Sequence, residues 1–171
     1  GHAILTVLMP SADPIHKITI IPRGMSLGST MFLPKKDRLS ITTAYLKADL
    51  VISMGGRVAE ELFLPDVSTG ARQDLLQATH LARSMVCDWG MSEALGPRTF
   101  GNNEELMFLG REVSRSQDYS EKTAQTIDAE VSRLLREAHD QARELLDKHR
   151  DAVEMLVKEL IDKETVSGEV A

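Results

Sequence analysis

The residues that could do chemistry in this chain are few and widely spaced. It holds five histidines, one cysteine and 26 acidic residues. Imidazole, thiolate and carboxylate are the groups that grip a divalent metal or move a proton at neutral pH, so their placement decides what is possible. His2 follows Gly1 at the head of an apolar run, and taken alone it suits a cloning remnant as well as a ligand. Asp74 falls one turn into an expected helix, where a carboxylate also serves to complement the helix dipole. His80, six residues on, is turned about 240° from Asp74 and shares no face with it. His139 and His149 straddle an expected helix break and lack the three- or four-residue spacing with which two helical side chains hold one ion. His16 sits in a strand pattern as a surface polar position. Glu60 and Glu61 compete with Asp74 for the role of carboxylate ligand, although carboxylates on a helix more often face solvent or, here, pair with Arg57. Cys87, flanked by Met85, Val86 and Trp89, reads as a small buried hydrophobe rather than a nucleophile.

The bulk properties narrow the field. With 171 residues, 42% of them hydrophobic, the chain can bury a core of its own, as one domain with an appended helical segment. A net charge of −6 leaves no basic stripe to neutralise phosphates, so no nucleic-acid partner is expected. The one basic cluster, Lys35-Lys36 with Arg38 after Pro34, reads as a solvated loop. A lone cysteine forms no intrachain disulfide, which suits a reducing compartment. No apolar run reaches the length of a membrane span. Ala3 to Met9 lacks a basic flank and stops at Pro10, so no signal peptide is expected and any membrane attachment belongs to sequence outside this stretch.

The elements that must position these groups follow from periodicity. Ala3 to Met9 reads as the end of a helix stopped by Pro10-Ser11-Ala12-Asp13-Pro14. Ile15 to Ile21 and Leu27 to Leu33 are rich in β-branched residues and flank Pro22-Arg23-Gly24, which predicts two short strands as a hairpin or as neighbours in a small sheet. Ser40 is the expected cap of a helix from Ile41 to about Leu64, interrupted at Gly55-Gly56. Two glycines inside a helix cost about 2 kcal/mol relative to alanine, which predicts a close helix approach or a kink there. Thr69-Gly70 opens a helix from Ala71 to about Trp89, closed by Gly90. Loops with scattered anchors at Phe100, Met107, Phe108 and Leu109 are expected up to Tyr119. Ser120 with Thr123 then starts a long helix with an apolar stripe through Ile127, Val131, Leu134, Leu135, Ala138, Ala142, Leu145 and Leu146. A break at Asp147 to Arg150 leads to a last helix, Ala152 to Ile161. The stripe predicts packing within the domain or against a neighbouring subunit. No internal repeat is visible.

Taken in order, the segments resemble the FtsH-type ATP-dependent zinc metalloproteases along essentially the whole chain. The matching text is Gly1-His2-Ala3, Ile18-Thr19-Ile20-Ile21-Pro22-Arg23-Gly24, Leu27-Gly28-Ser29-Thr30-Met31-Phe32-Leu33-Pro34 and Gly55-Gly56-Arg57-Val58-Ala59-Glu60-Glu61. It continues through Thr69-Gly70-Ala71-Arg72-Gln73-Asp74-Leu75, Trp89-Gly90-Met91-Ser92, Leu95-Gly96-Pro97, Phe108-Leu109-Gly110-Arg111 and Ile127-Asp128-Ala129-Glu130-Val131. Nine such segments in one order are a specific signature.

The resemblance implies a fold that is mainly α with a small β-sheet (α+β), zincin-like, with residues 1–171 as a peptidase domain. Within it, 1–115 would form the zinc-site core with the sheet and 116–171 a C-terminal helical segment. In the family, zinc is held by both histidines of H-E-x-x-H and by an aspartate of the T-G-A-x-x-D segment. Carried over, the Zn2+ ligands are His2, as the second histidine, and Asp74. The first histidine and the glutamate that takes a proton from the zinc-activated water would precede Gly1, so no catalytic group is expected within this stretch and the stretch alone is expected to be inactive, with zinc weakly held or absent.

The strand Gly28, Ser29, Thr30, Met31 and Phe32 is the expected substrate-binding element if it lies at a sheet edge, where it could pair with an extended polypeptide through main-chain hydrogen bonds. The alternative is that it merely packs in a hairpin. The family background further implies unfolded protein substrates, ATP used only through an ATPase module in cis, a homo-hexamer, and a membrane anchor outside this stretch, on the cytoplasmic face of a bacterial inner membrane. The rivals are a catalytically dead helical scaffold and a stand-alone zincin without an ATPase partner.

Overall fold

A computed structural model describes residues 1–22, 28–32, 40–101 and 118–168. The Arg23-Gly24 part of the expected turn, the Lys35-Lys36-Arg38 loop and the anchors Met107, Phe108 and Leu109 lie outside the described residues. The order of elements is α1 (His2–Leu8), β1 (Ile15–Thr19), β2 (Ser29–Phe32), α2 (Thr43–Ser53), α3 (Gly55–Phe63), α4 (Arg72–Cys87), α5 (Glu121–Lys148), α6 (Arg150–Lys163) and β3 (Thr165–Ser167). The protein is therefore mainly helical with a small antiparallel sheet, the expected class. Among the described residues no helix is long and apolar enough to cross a membrane.

The described chain divides into two compact units, one of residues Gly1–Ala78 with Glu137–Ala171 and the other of Thr79–Arg136. In the first, α1 packs against α2, α3 and β1. Its short helix is held by burial of Ala3, Ile4, Leu5 and Thr6 rather than by its length, which is below what an isolated helix needs. The expected long helix from Ile41 is two helices. Its cap is Thr42, not Ser40: the Thr42 hydroxyl accepts from the Tyr45 N–H at 3.3 Å, the reach of an N-cap side chain to N3. The break comes at Met54, directly before the glycine pair, and the cause is a close approach. A Cβ on Gly55 would stand 2.8 Å from the His2 backbone N, so only a bare backbone lets α3 lie against α1.

The sheet has the order β2-β1-β3. Strand β1 pairs antiparallel with β2 through Lys17 with Met31, Ile18 with Thr30 and Thr19 with Ser29, with a bulge between Ile15 and Lys17. Strand β3 was not anticipated from sequence, since three residues carry no periodicity. It forms because the chain reverses after α6 at Glu164, in the left-handed region at φ 57°, whose carbonyl then accepts from the Ile20 N–H and the Thr19 hydroxyl. Ile15 and Ile18 of β1 cluster with Ala3, and Leu156 and Leu160 of α6 cover them. With β1 central, β2 is left as an edge strand whose residues are mostly exposed.

In the second unit, Gly90 closes α4 as expected, at φ 60°, where a Cβ would meet the Pro97 backbone at 2.9 Å. The residues after it are tied to α5 by a buried polar group: the Ser92 hydroxyl donates to Glu130 at 2.6 Å, and Arg133 donates to both Glu130 oxygens. The Arg133 bonds first, and the Ser92 bond next, hold the Glu130 carboxyl below its usual pKa range. Cys87 is buried, and burial pushes its thiol pKa up, as a packing residue rather than a nucleophile requires. The α5 cap is Ser120, whose Oγ accepts from the Thr123 N–H, and α5 gives way to α6 at His149. From the expected stripe, Ile127, Val131 and Leu134 are buried in this unit and Ala138, Ala142 and Leu146 in the other.

Candidate metal centre

His2 opens α1 and Asp74 lies in the first turn of α4, and folding brings His2 Nε2 to 3.2 Å from Asp74 Oδ2. What makes room for them is Gly56 on α3. A Cβ there would stand 2.9 Å from His2 Cε1 and 3.3 Å from Asp74 Oδ2, so the bare helix face is the floor on which ring and carboxylate meet. Their side chains are 32% and 33% exposed, open enough to receive a ligand. Burial, the larger influence, pulls the His2 pKa below its usual value against the opposing pull of the Asp74 carboxylate. A neutral imidazole is the form that binds metal.

These two groups fit zinc. Nitrogen and carboxylate oxygen at about 2.0–2.2 Å from a tetrahedral ion stand roughly 3.4 Å from each other, close to the separation found. The same distance also satisfies an ion pair, so the donor chemistry and the open pocket matter as much as the number. Among the described residues no group of three or more His, Cys, Asp or Glu side chains converges as a metal site, so the pair stands by itself here.

A cavity of about 230 Å³ adjoins the pair; its lining includes His2, Asp74, Phe32, Tyr45, Asp49 and Gln77. Phe32 is the end of β2, so the strand expected to receive substrate runs to the pocket that holds the metal candidates. Gly28 precedes β2 and has no room for a side chain, since a Cβ would lie 2.7 Å from the Thr19 carbonyl oxygen. Ser29, Thr30, Met31 and Phe32 form the strand itself, with Met31 and Phe32 exposed. Burial, then the nearby Asp13 carboxylate, pushes the Asp49 pKa up, while Asp13 accepts a hydrogen bond from the Tyr45 hydroxyl at 3.0 Å.

The rival carboxylates are turned elsewhere. Glu61 faces His139 Nε2 at 2.9 Å and Arg143 Nη1 at 3.3 Å. Glu60 accepts from Ser68 through both oxygens, and these bonds, the hydroxyl's first, hold its carboxyl below the usual range. His16 and His80 are exposed, and His149 takes the N-cap position of α6. Several pocket residues were not singled out from sequence. Gln77 was within reach of it, being three residues after Asp74 on the same helical face, and so was the Tyr45–Asp49 pair one turn apart on α2. Gly56 was not: a glycine doublet signals a close approach without saying to what.

The whole chain, residues 1–171, matches the sequence profile of peptidase family M41. It is 50% identical over 169 residues to the ATP-dependent zinc metalloprotease FtsH of Slackia heliotrinireducens, which covers 99% of this chain and 22% of that protein. It is 48% identical to the ATP-dependent zinc metalloprotease FtsH 2 of Methylacidiphilum infernorum, over 99% of this chain and 26% of that one. For the ATP-dependent zinc metalloprotease FtsH of Acidobacterium capsulatum the figures are 49%, 98% and 26%. The chain thus spans about a quarter of the length of the curated relatives it matches. Matched from end to end by that profile and half identical to relatives of this type, the chain belongs to peptidase family M41 and is FtsH-like.

Proposed function

We propose that residues 1–171 are the proteolytic domain of a membrane-anchored, ATP-dependent zinc metalloprotease that hydrolyses peptide bonds of unfolded proteins. The observation that carries this reading is the 3.2 Å approach of His2 to Asp74 beside the end of the edge strand β2. The relatives' names support zinc and ATP dependence, and their greater length leaves space for an ATPase module in cis. The homo-hexamer, the membrane anchor and the cytoplasmic face of a bacterial inner membrane rest on the resemblance alone, as does the division into a zinc-site core at 1–115 and a helical segment at 116–171.

His2 and Asp74 would hold the metal through a ring nitrogen and a carboxylate oxygen. Zinc, when bound, supplies Lewis acidity that brings a coordinated water's pKa to about 7. The remaining roles belong to the chain. Among the described residues no strand pairs with the outer edge of β2, and main-chain N–H and C=O groups along such an edge hold an extended polypeptide without regard to its side chains. Phe32 supplies an apolar wall beside the ligands, and Gly56 keeps them in mutual reach. Two protein ligands are one fewer than a catalytic zinc site takes, and by the H-E-x-x-H resemblance the third ligand and the proton-accepting glutamate precede His2 by four and three residues.

The test is metal removal on the parent protein. One zinc per chain and hydrolysis of an unfolded protein are expected, both lost to a chelator and restored by zinc, whereas residues 1–171 alone should hydrolyse nothing. Chelator-resistant hydrolysis by residues 1–171 would sink the reading; a parent protein that binds no zinc would favour the catalytically inert scaffold.

The substrate strand has its own test, by proline scanning of Ser29 to Phe32. Alternate residues of an antiparallel strand point their N–H groups to opposite sides, so one of the pairs Ser29/Met31 and Thr30/Phe32 faces β1 and the other faces outward. Proline in the outward pair should raise KM about tenfold or more, from one lost main-chain bond of about 1–1.5 kcal/mol and its neighbours, with little change in melting temperature. Proline in the inward pair should lower the melting temperature. Unchanged KM across all four variants would leave β2 as an ordinary hairpin strand.

A further inference from the structure

The last turn of helix α3 carries two adjacent carboxylates, Glu60 and Glu61, which are bonded to Ser68 and to His139 and Arg143 respectively. Glu60 turns instead to the segment that leads into α4. Its Oε2 accepts from the Ser68 backbone N–H at 3.0 Å, and its Oε1 accepts from the Ser68 hydroxyl. The Ser68 Oγ accepts in turn from the Gly70 N–H at 3.0 Å. Gly70 is packed into this arrangement, since a Cβ there would lie 3.1 Å from Ser68 Oγ and 3.5 Å from Glu60 Oε1. The bonds then run on into the helix that carries Asp74, from Arg72 N–H to the Thr69 carbonyl and from Leu75 N–H to the Ala71 carbonyl.

Residues 64–70 are all exposed, and Leu64 and Val67 leave about half their surface in solvent. Apolar burial therefore does little to fix where this segment lies until Ala71, which is 3% exposed. A carboxylate that engages both the hydroxyl and the amide of one residue fixes position and orientation together. Arg57 Nη1 stands 3.8 Å from Glu60 Oε2, the oxygen that also accepts from the Ser68 N–H, and adds a cation to the group.

From this geometry we infer that Glu60 is a positioning residue for Asp74, acting through Ser68 to set where α4 begins and so where its first-turn carboxylate points. The inference rests on the reading of Asp74 as a zinc ligand. It assigns to one of the two carboxylates that compete with Asp74 in sequence a supporting role to it.

The experiment compares Glu60→Ala, Glu60→Gln, Ser68→Ala and Asp74→Ala in the parent protein, with zinc affinity read by chelator competition and the ligand set by the visible spectrum of the cobalt-substituted form. Groups that orient a metal ligand are worth about 10–100-fold in affinity. Glu60→Ala should weaken zinc by that factor, shift the cobalt bands, and lower kcat with KM little changed; Ser68→Ala should do the same to a smaller degree. Glu60→Gln keeps an acceptor for the Ser68 N–H and a donor for its Oγ, and should recover most of the loss. Wild-type zinc affinity and cobalt bands in folded Glu60→Ala would overturn the inference, as would a lowered melting temperature without any change at the metal. Should Glu60→Ala not fold, Ser68→Ala decides by the same two readouts. Asp74→Ala separates the two failures: full zinc affinity in that variant overturns the ligand reading and this inference with it, whereas its loss beside an unaffected Glu60→Ala overturns this inference alone.

Discussion

Asp74→Ala in the parent protein should lose stoichiometric zinc and reduce kcat/KM by well over about 100-fold, the upper range for merely disturbing a group outside the ligand set. The variant should still fold. Asp74 is 33% exposed and stands in the first turn of α4, so its contribution to the helix is a dipole interaction of about 0.3–1 kcal/mol. That separation of effects makes the result informative: a melting temperature close to wild type beside an empty metal site assigns the loss to coordination. Asp74→Asn should be intermediate, because an amide oxygen keeps a neutral donor in the same place. Zinc content and activity unchanged in Asp74→Ala, measured by elemental analysis and by cleavage of an unfolded protein, would remove Asp74 from the site. Glu60 and Glu61 would then be poor replacements, since both are committed to partners of their own.

Gly56→Ala should separate stability from function with opposite signs. Alanine is favoured over glycine within a helix by about 1 kcal/mol, so on propensity alone the change stabilises α3. Its methyl group would stand 2.9 Å from His2 Cε1, closer than carbon atoms pack, and 3.3 Å from Asp74 Oδ2. The ring must turn or the carboxylate must withdraw, and a displacement on the order of 1 Å in such a site reduces rate by about 100-fold. The expected result is a domain that melts within a few degrees of wild type but binds zinc about 10–100-fold more weakly. Gly56→Val should be worse in both respects, because a branched side chain cannot give way. Equal zinc affinity in Gly56→Ala and wild type would mean that the ring relaxes without consequence, and that the glycine serves only the approach of α3 to α1.

Most of the elements were legible from periodicity and caps. The apolar stripe of α5, its Ser120 cap and the break before α6 are where sequence places them, because an amphipathic helix writes its buried face at a fixed spacing. The interruption at the glycine pair is also where sequence places it, whereas the helix before it is capped by Thr42 rather than Ser40, since the two are equally good caps in isolation and only the reach to the Tyr45 N–H decides between them. Strand β3 had no sequence signature of its own; its pairing with β1 depends on where α6 delivers it.

For the candidate site, the chain by itself determined which side chains are chemically able to hold a metal; spacing and strand pattern argue against the histidines at 16, 80, 139 and 149, and the order of the segments, through the family resemblance, points to His2 and Asp74. Local spacing could not go further, because the two groups lie on different helices and no period relates them. Only the tertiary structure decided that α1 and α4 bring an imidazole and a carboxylate to 3.2 Å, that Gly56 leaves the space for them, and that Glu60 and Glu61 spend their charge on Ser68 and His139. The physical reason is that residue type is a local property, whereas convergence is set by how buried faces pack, and a side chain's partner is whichever group that packing brings within reach.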